Sequence, residues 1–312
     1  MNFKSVLFFS AMIIGMNQCS AMMPRRDATP IRSVQIHNPC YPRYSDVELI
    51  SVSNGDMLNC SARGIIGKAI CLVSDRNDTP NPLNLTHSGF CALEDPRRLH
   101  EMIFQLTPNA ENKGLGCTIS EKAGKIMRDE IFSWHRDILG LVCDDEILMP
   151  FGMEASGSVG TVLRGAYPHV QARPLAALLE EYDGAVYQRR IEIDVPLEHS
   201  RSFSRAHLGR SYEGLKGFLQ LLRAAKHENA VEDTDEVFCS EYCALFYRGV
   251  IDTYLGESEF FQGRRALYGN VSNVIPEQFC SQIGDWDLLL EMAGPEVTLK
   301  RARAAKKRCL LL

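Results

Sequence analysis

Residues 237–247, Val-Phe-Cys-Ser-Glu-Tyr-Cys-Ala-Leu-Phe-Tyr, put a cysteine where a helix is about to begin. Beyond Glu241, apolar or aromatic residues fall at 242, 243, 246, 247, 250, 251 and 254, the spacing of a helix that buries one face. Cys239 then sits in the first turn, with Ser240 a candidate capping residue. The thiolate rather than the thiol is the nucleophile, and unpaired N–H groups at a helix start favour it. Such a group could attack a carbonyl covalently, provided a base lies near it in space. Without a base, Cys239 reads as a small buried hydrophobe.

A candidate base is His87, in the strand-like run Leu85-Thr86-His87-Ser88-Gly89-Phe90-Cys91-Ala92-Leu93, where Gly89 marks a close approach to the backbone. Two carboxylates could act with it. Glu94 follows that run directly, whereas Glu154 lies in Met149-Pro150-Phe151-Gly152-Met153-Glu154-Ala155-Ser156, a strand leading into a glycine-rich turn. The glycines at 152, 157 and 160 do not make a G-x-G-x-x-G, so a nucleotide site is poorly supported.

The elements that must position these groups are partly readable. Residues 47–59 predict a strand pair broken at Ser53-Asn54-Gly55-Asp56, and residues 63–73 predict a short apolar helix. Residues 75–84 predict an exposed loop. From 96 to 148 the pattern turns helical and charged, with one long helix over 120–141, and reads as an inserted cap or partner surface. A short helix over 174–182, a strand over 185–193, a helix from about 213 to 225 and an acidic loop over 228–236 lead into Cys239. Residues 271–290 complete a core.

Composition bounds the alternatives. A chain of 312 residues with 45% hydrophobic content can form one large domain or two ordinary ones. A net charge of -5 argues against general nucleic-acid binding. The eleven cysteines are odd in number and contain no C-x-x-C pair, which fits neither a disulfide scaffold nor a zinc framework, and no metal or cofactor is expected.

Taken in order, Gly55-Asp56, Thr86-His87-Ser88-Gly89, Glu154-Ala155 with Gly157-Ser158-Val159, the strand Val186 to Arg190, Gly209 to Tyr212, Phe238-Cys239-Ser240-Glu241 and Ile275 to Phe279 resemble the permuted papain-like family, bacterial relatives of the NlpC/P60 and lecithin retinol acyltransferase enzymes. The resemblance covers about residues 47–290 apart from the 96–148 segment. It implies an α+β fold, an antiparallel sheet packed on helices, in which the histidine strand precedes the cysteine helix. It further implies Cys239 as nucleophile, His87 as general base, Glu154 as the residue orienting the imidazole, and Tyr212 as a further donor to oxyanion or substrate. The family places its third residue nearer the histidine, which keeps Glu94 as the competing candidate. Strand alternation favours Glu154, since Glu94 is expected past the strand's end.

The two ends carry signals of address. Lys4, the apolar run 6–16 and Gln18-Cys19-Ser20-Ala21 predict a cleaved secretory signal over 1–22, too short to span a bilayer. Asn17-Gln18 before Cys19 fits a lipoprotein signal poorly. Residues 291–312 are expected to form a basic tail ending in Cys309-Leu-Leu-Leu, a pattern for geranylgeranylation that resembles the ends of Rho-family GTPases. Lys300, Arg301, Arg303, Lys306, Lys307 and Arg308 precede that cysteine and would supply the second, electrostatic membrane signal.

The expectation is therefore a cysteine hydrolase or acyltransferase acting on an amide or ester bond of a lipid or peptide. A bacterium would export it, a host prenyltransferase would modify it, and it would sit on a host membrane. Two alternatives stand beside it: an envelope amidase or peptidase acting on peptidoglycan in the periplasm, and an inactive papain-like scaffold whose 96–148 segment binds a partner.

Overall fold

The computed structural model describes residues 33–40, 49–62, 83–112, 116–133, 138–139, 141–143, 146–156, 169–182, 184–191, 194–212, 236–254 and 293–301. These form a mixed α+β structure of two sheets and five helices among the described residues. The expected signal over 1–22, the helices over 63–73 and 213–225, the core segment 271–290 and Cys309 lie outside them.

A small sheet has the order β2-β1-β5, from Leu49–Ser53, Ser33–His37 and Ile138–Leu139. The large sheet contains β3 (Met57–Ala62), β4 (His87–Glu94), β7 (Glu146–Ser156), β8 (His169–Pro174), β9 (Gly184–Ile191), β10 (Ser211–Tyr212), β11 (Glu236–Val237) and β12 (Ala293–Lys300). Its order is β11-β10-β8-β7-β4-β3-β9-β12, with β6 (Leu141–Cys143) pairing β7 off that path. Every pairing is antiparallel except β10 with β11.

The turn expected at 53–56 is present: Asp56 N–H donates to Ser53 O at 3.2 Å, and Gly55 takes φ +87°. A side chain is excluded there, because a Cβ on Gly55 would come within 2.6 Å of Val195. The two flanking strands do not pair with each other, however. β2 pairs β1 while β3 pairs β4 and β9, so the turn passes the chain from one sheet to the other.

Alternation along β4 divides the core. Phe90 and Ala92 face one cluster with Met57, Phe151, Tyr242 and Phe246, and Cys91 and Leu93 face a second with Leu58, Leu148 and Leu178. In the first cluster the Phe90 ring stacks on Phe246 with centroids 3.7 Å apart. Full burial of such a ring stabilises the fold by about 1.5–3 kcal/mol, which fastens helix α5 (Cys239–Tyr254) to β4.

The 96–148 segment is not a separate helical insertion. Helix α1 (Pro96–Leu106) is capped by Asp95, which accepts from Arg97 N–H at 2.7 Å, and it buries Leu99, Met102 and Ile103. Helix α2 (Glu121–Ser133) buries Ala123, Met127 and Ile131 in the same cluster as Phe90. The long helix expected over 120–141 ends at Ser133. Residues 138–139 instead pair with β1 and 141–143 with β7, so tertiary pairing overrides the local helical pattern.

A second difference concerns the expected tail from 291. Residues 293–300 form edge strand β12 against β9, with Val297 opposite Gln188 and Thr298 opposite Tyr187. Lys300 is only 3% exposed, and its ammonium donates to the carbonyls of Glu180 and Tyr182. The folded part therefore extends at least to Lys300.

Candidate active site

Helix α5 opens on Cys239. Tyr242 N–H donates to Phe238 O at 2.8 Å, so Phe238 holds the cap position and Cys239 is the first helical residue. Glu241 reaches back to accept from Phe238 N–H at 3.3 Å, half of a capping box. Ser240 is thus the second helical residue and not the cap. The Cys239 sulfur accepts from the N–H groups of Ser240 and Ser88.

Strand register explains why Ser88 can donate to a sulfur. Cys91 N–H donates to Asp56 O on β3, so odd-numbered amides of β4 point to β3 and even-numbered ones towards β7. Pairing of β4 with β7 ends at Gly89 opposite Glu154. The next amide pointing that way belongs to Ser88, and the thiol takes the place of the missing strand carbonyl.

His87 is the first residue of β4, with its side chain 14% exposed. Its Nε2 lies 2.6 Å from Glu154 Oε2, which leaves Nδ1 for its hydrogen bond with Cys239. Glu154 shares a face of the sheet with His87, and between them Gly89 contributes no side chain. A Cβ there would come within 2.8 Å of Met153 O, so the strands close tightly only around glycine. The second carboxylate oxygen accepts from Gln171 Nε2 at 2.8 Å, across the register that sets Gln171 opposite Glu154. Tyr182 stacks beside the imidazole with ring centroids 6.4 Å apart. The result is a chain of contacts from Gln171 through Glu154 and His87 to Cys239.

Its electrostatics favour separated charges. Burial opposes charge on His87, but the Cys239 thiolate and the Glu154 carboxylate outweigh it and raise the imidazole to about 10. Burial likewise opposes the thiolate, and the imidazolium with the Ser88 and Ser240 amides overcomes it, so Cys239 lies below the ordinary thiol value. Glu154 is held below the usual carboxylate range against the same desolvation by His87, Arg173 and Gln171. Arg173 is fully buried two residues from Gln171, bridging Glu130 of α2 and Glu181 at 2.7 Å each. These directions favour a thiolate–imidazolium pair with an ionised third partner over the neutral pair.

The other expected residues lie elsewhere. Glu94 is the last residue of β4 rather than beyond it, and it accepts from Arg201 Nε at 3.0 Å and from Asp95 N–H at 2.9 Å. Tyr212 is half-buried on β10, its ring edge-on to Phe238 at 6.2 Å, and so packs against the residue preceding Cys239. Among the described residues no three His, Cys, Asp or Glu side chains cluster as a metal site would require.

Gln171 and the Ser88 amide escaped sequence reasoning. Gln171 sits in His-Val-Gln-Ala-Arg-Pro, whose polar residues hide the strand, and alternation with Glu154 becomes visible only once the register is known. No family model matches the chain, and no curated protein matches it.

Proposed function

We propose that this protein is a cysteine hydrolase or acyltransferase acting on an amide or ester bond, with a permuted papain-like fold. The observation that carries the reading is the 2.6 Å contact between His87 and Glu154 beside a cysteine that opens a helix. In the mechanism, the Cys239 thiolate attacks the acyl carbon. First-turn N–H groups of α5 stabilise the oxyanion, and His87 protonates the leaving amine or alcohol. Water or a second nucleophile then takes the acyl group, with His87 as base. Glu154 holds the ring in register throughout.

A screen of peptide amides and lipid esters against the wild type and Cys239→Ala tests this. Turnover of at least one substrate class that vanishes in Cys239→Ala is the expected result, and turnover that persists in the variant would end the proposal.

The reading includes export by a bacterium and anchoring at a host membrane through Cys309. No helix among the described residues is long and apolar enough to cross a membrane. Because Lys300 is committed to the fold, the basic signal consists of Arg301, Arg303, Lys306, Lys307 and Arg308. One lipid chain binds only marginally, and basic residues near an anionic leaflet add about 1 kcal/mol each. Expressed in a eukaryotic cell without residues 1–22, the protein is expected in the membrane fraction with a prenyl mass increment. Cys309→Ser should release it to the cytosol. Replacing the five basic residues by Gln should weaken retention while leaving the lipid attached, whereas Lys300→Gln should act on stability instead. A Cys309→Ser protein unchanged in mass and fractionation would favour the envelope amidase.

A further inference from the structure

We propose that Tyr182 is a positioning residue for His87: it ties down Thr86, the residue before the histidine, so that the imidazole meets Cys239 and Glu154 in one orientation. The inference rests on the reading of Cys239 as nucleophile and His87 as base, and it adds a residue to that machinery from a different part of the chain.

β4 does not begin as a regular strand. Cys60 lies opposite His87 in the ladder with β3, yet the Cys60 carbonyl accepts from Thr86 N–H at 2.9 Å. Two residues of one chain segment thus answer one of the other, the pattern of a β-bulge, which re-aims side chains beside active sites. In a regular strand Thr86 and His87 would point to opposite faces of the sheet. Here Tyr182 reaches both of them. Its hydroxyl is hydrogen-bonded to the Thr86 side chain, and its ring lies 23° from parallel with the imidazole, at a centroid distance of 6.4 Å that falls in the range of offset stacking.

Tyr182 is itself held on three sides. It caps helix α3 (Leu175–Glu181), with its N–H donating to Leu178 O at 3.0 Å. Its carbonyl accepts from the Lys300 ammonium at the end of β12. Its ring packs over Gly184, where a Cβ would come within 2.9 Å of Tyr182 Cε1. A ring anchored in this way can hold Thr86 in place rather than follow it. The titratable groups around Tyr182 and His87 are Glu154 from β7, Cys239 from α5, Cys60 from β3 and Lys300 from β12, among the described residues. Without the tie to Thr86 the bulge can relax, and the imidazolium spends less time against the Cys239 sulfur. The thiolate then loses part of its counter-charge and forms only at higher pH.

The test is the pH profile of Cys239 alkylation by iodoacetamide, mapped by mass spectrometry on the full chain, in the wild type, Tyr182→Phe, Thr86→Val and the double variant. Each single substitution removes the same hydrogen bond and keeps the shape of the side chain. Each should move the lower limb of the profile up by about half a pH unit, which lowers the rate below it about threefold. The double variant should move no further than either single one, because partners in one bond are not additive. Should Tyr182→Phe fail to fold, Thr86→Val carries the test by itself. A limb that stays in place in the folded single variants, or shifts that add in the double variant, would show that Tyr182 does not act on His87 through Thr86. Either result overturns the inference and leaves the nucleophile reading intact. A wild type whose Cys239 resists iodoacetamide across the whole range would sink both together.

Discussion

At pH 6, iodoacetamide is expected to modify Cys239 before Cys40, although Cys40 is exposed and Cys239 is only 6% accessible. Exposure favours Cys40, and thiolate content favours Cys239. An ordinary thiol is about 0.3% ionised at pH 6 and loses a factor of about ten in thiolate per further pH unit. Cys239 lies below the ordinary value because the imidazolium and two amides hold its charge, so its reactive form persists to lower pH than that of an ordinary thiol. A lower pKa also reduces intrinsic nucleophilicity, offsetting about half of the gain on a logarithmic scale, so Cys239 keeps a net advantage. The preference should fade as pH rises towards 9, where ordinary thiols ionise as well.

Three other buried cysteines provide the contrast. Burial pushes Cys60, Cys91 and Cys243 up, and no imidazolium offsets it, so they should stay unlabelled in the folded protein. His87→Ala removes the counter-charge from Cys239, whose pKa should then rise like theirs, so that its pH 6 labelling falls to the level of the buried cysteines. Labelling of Cys40 ahead of Cys239 at pH 6, with the protein folded, would remove the nucleophile.

Legibility of this site followed the strength of local pattern. Helix α5 was readable because Tyr242, Cys243, Phe246, Tyr247, Val250 and Ile251 all face the core, so the period of the fold is the period of the sequence. β4 and β7 were readable for the same reason, as apolar runs that lie buried in the sheet, and β9 was readable from partial alternation. β8 was not, because His169, Gln171 and Arg173 interrupt its apolar positions to serve the Glu154 side of the site. Helix α4 (Leu197–His207) was missed because Ser200 and Ser204 are its buried residues, giving no hydrophobic stripe to detect.

Long-range pairing was equally invisible. β5 pairs only β1, whose residues lie about a hundred positions earlier in the chain, so nothing local marks it. The tail residues 293–300 read as polar and basic because β12 is an edge strand with most of its side chains outward. The choice between Glu94 and Glu154 rested on alternation, but the contact itself depends on the end of the β4–β7 ladder, which only the register reveals.

That choice yields the second large expected effect: Glu154→Gln should lower kcat/KM by several orders of magnitude, and Glu94→Gln should leave it within about twofold. Glu154 is 3% exposed and uses both oxygens, one for His87 and one for Gln171, so water cannot replace what is lost. A carboxamide at 154 has one acceptor for two donors and no charge. His87 then loses the partner that fixes its ring, and wrong tautomer control in an acyl-transfer triad costs about 10⁴-fold. With less imidazolium, the lower limb of the Cys239 alkylation profile should also move to higher pH, a shift that simple destabilisation would not produce. Glu94 stands seven residues further along β4, about 24 Å from His87 in an extended strand, and is bound to Arg201. Its substitution should therefore lower the unfolding midpoint and leave the alkylation profile where it was. Measuring both variants for turnover, thermal unfolding and alkylation between pH 5 and 9 separates the roles. A Glu94→Gln protein that loses more turnover than Glu154→Gln while both remain folded would assign the orienting carboxylate to the other end of the strand.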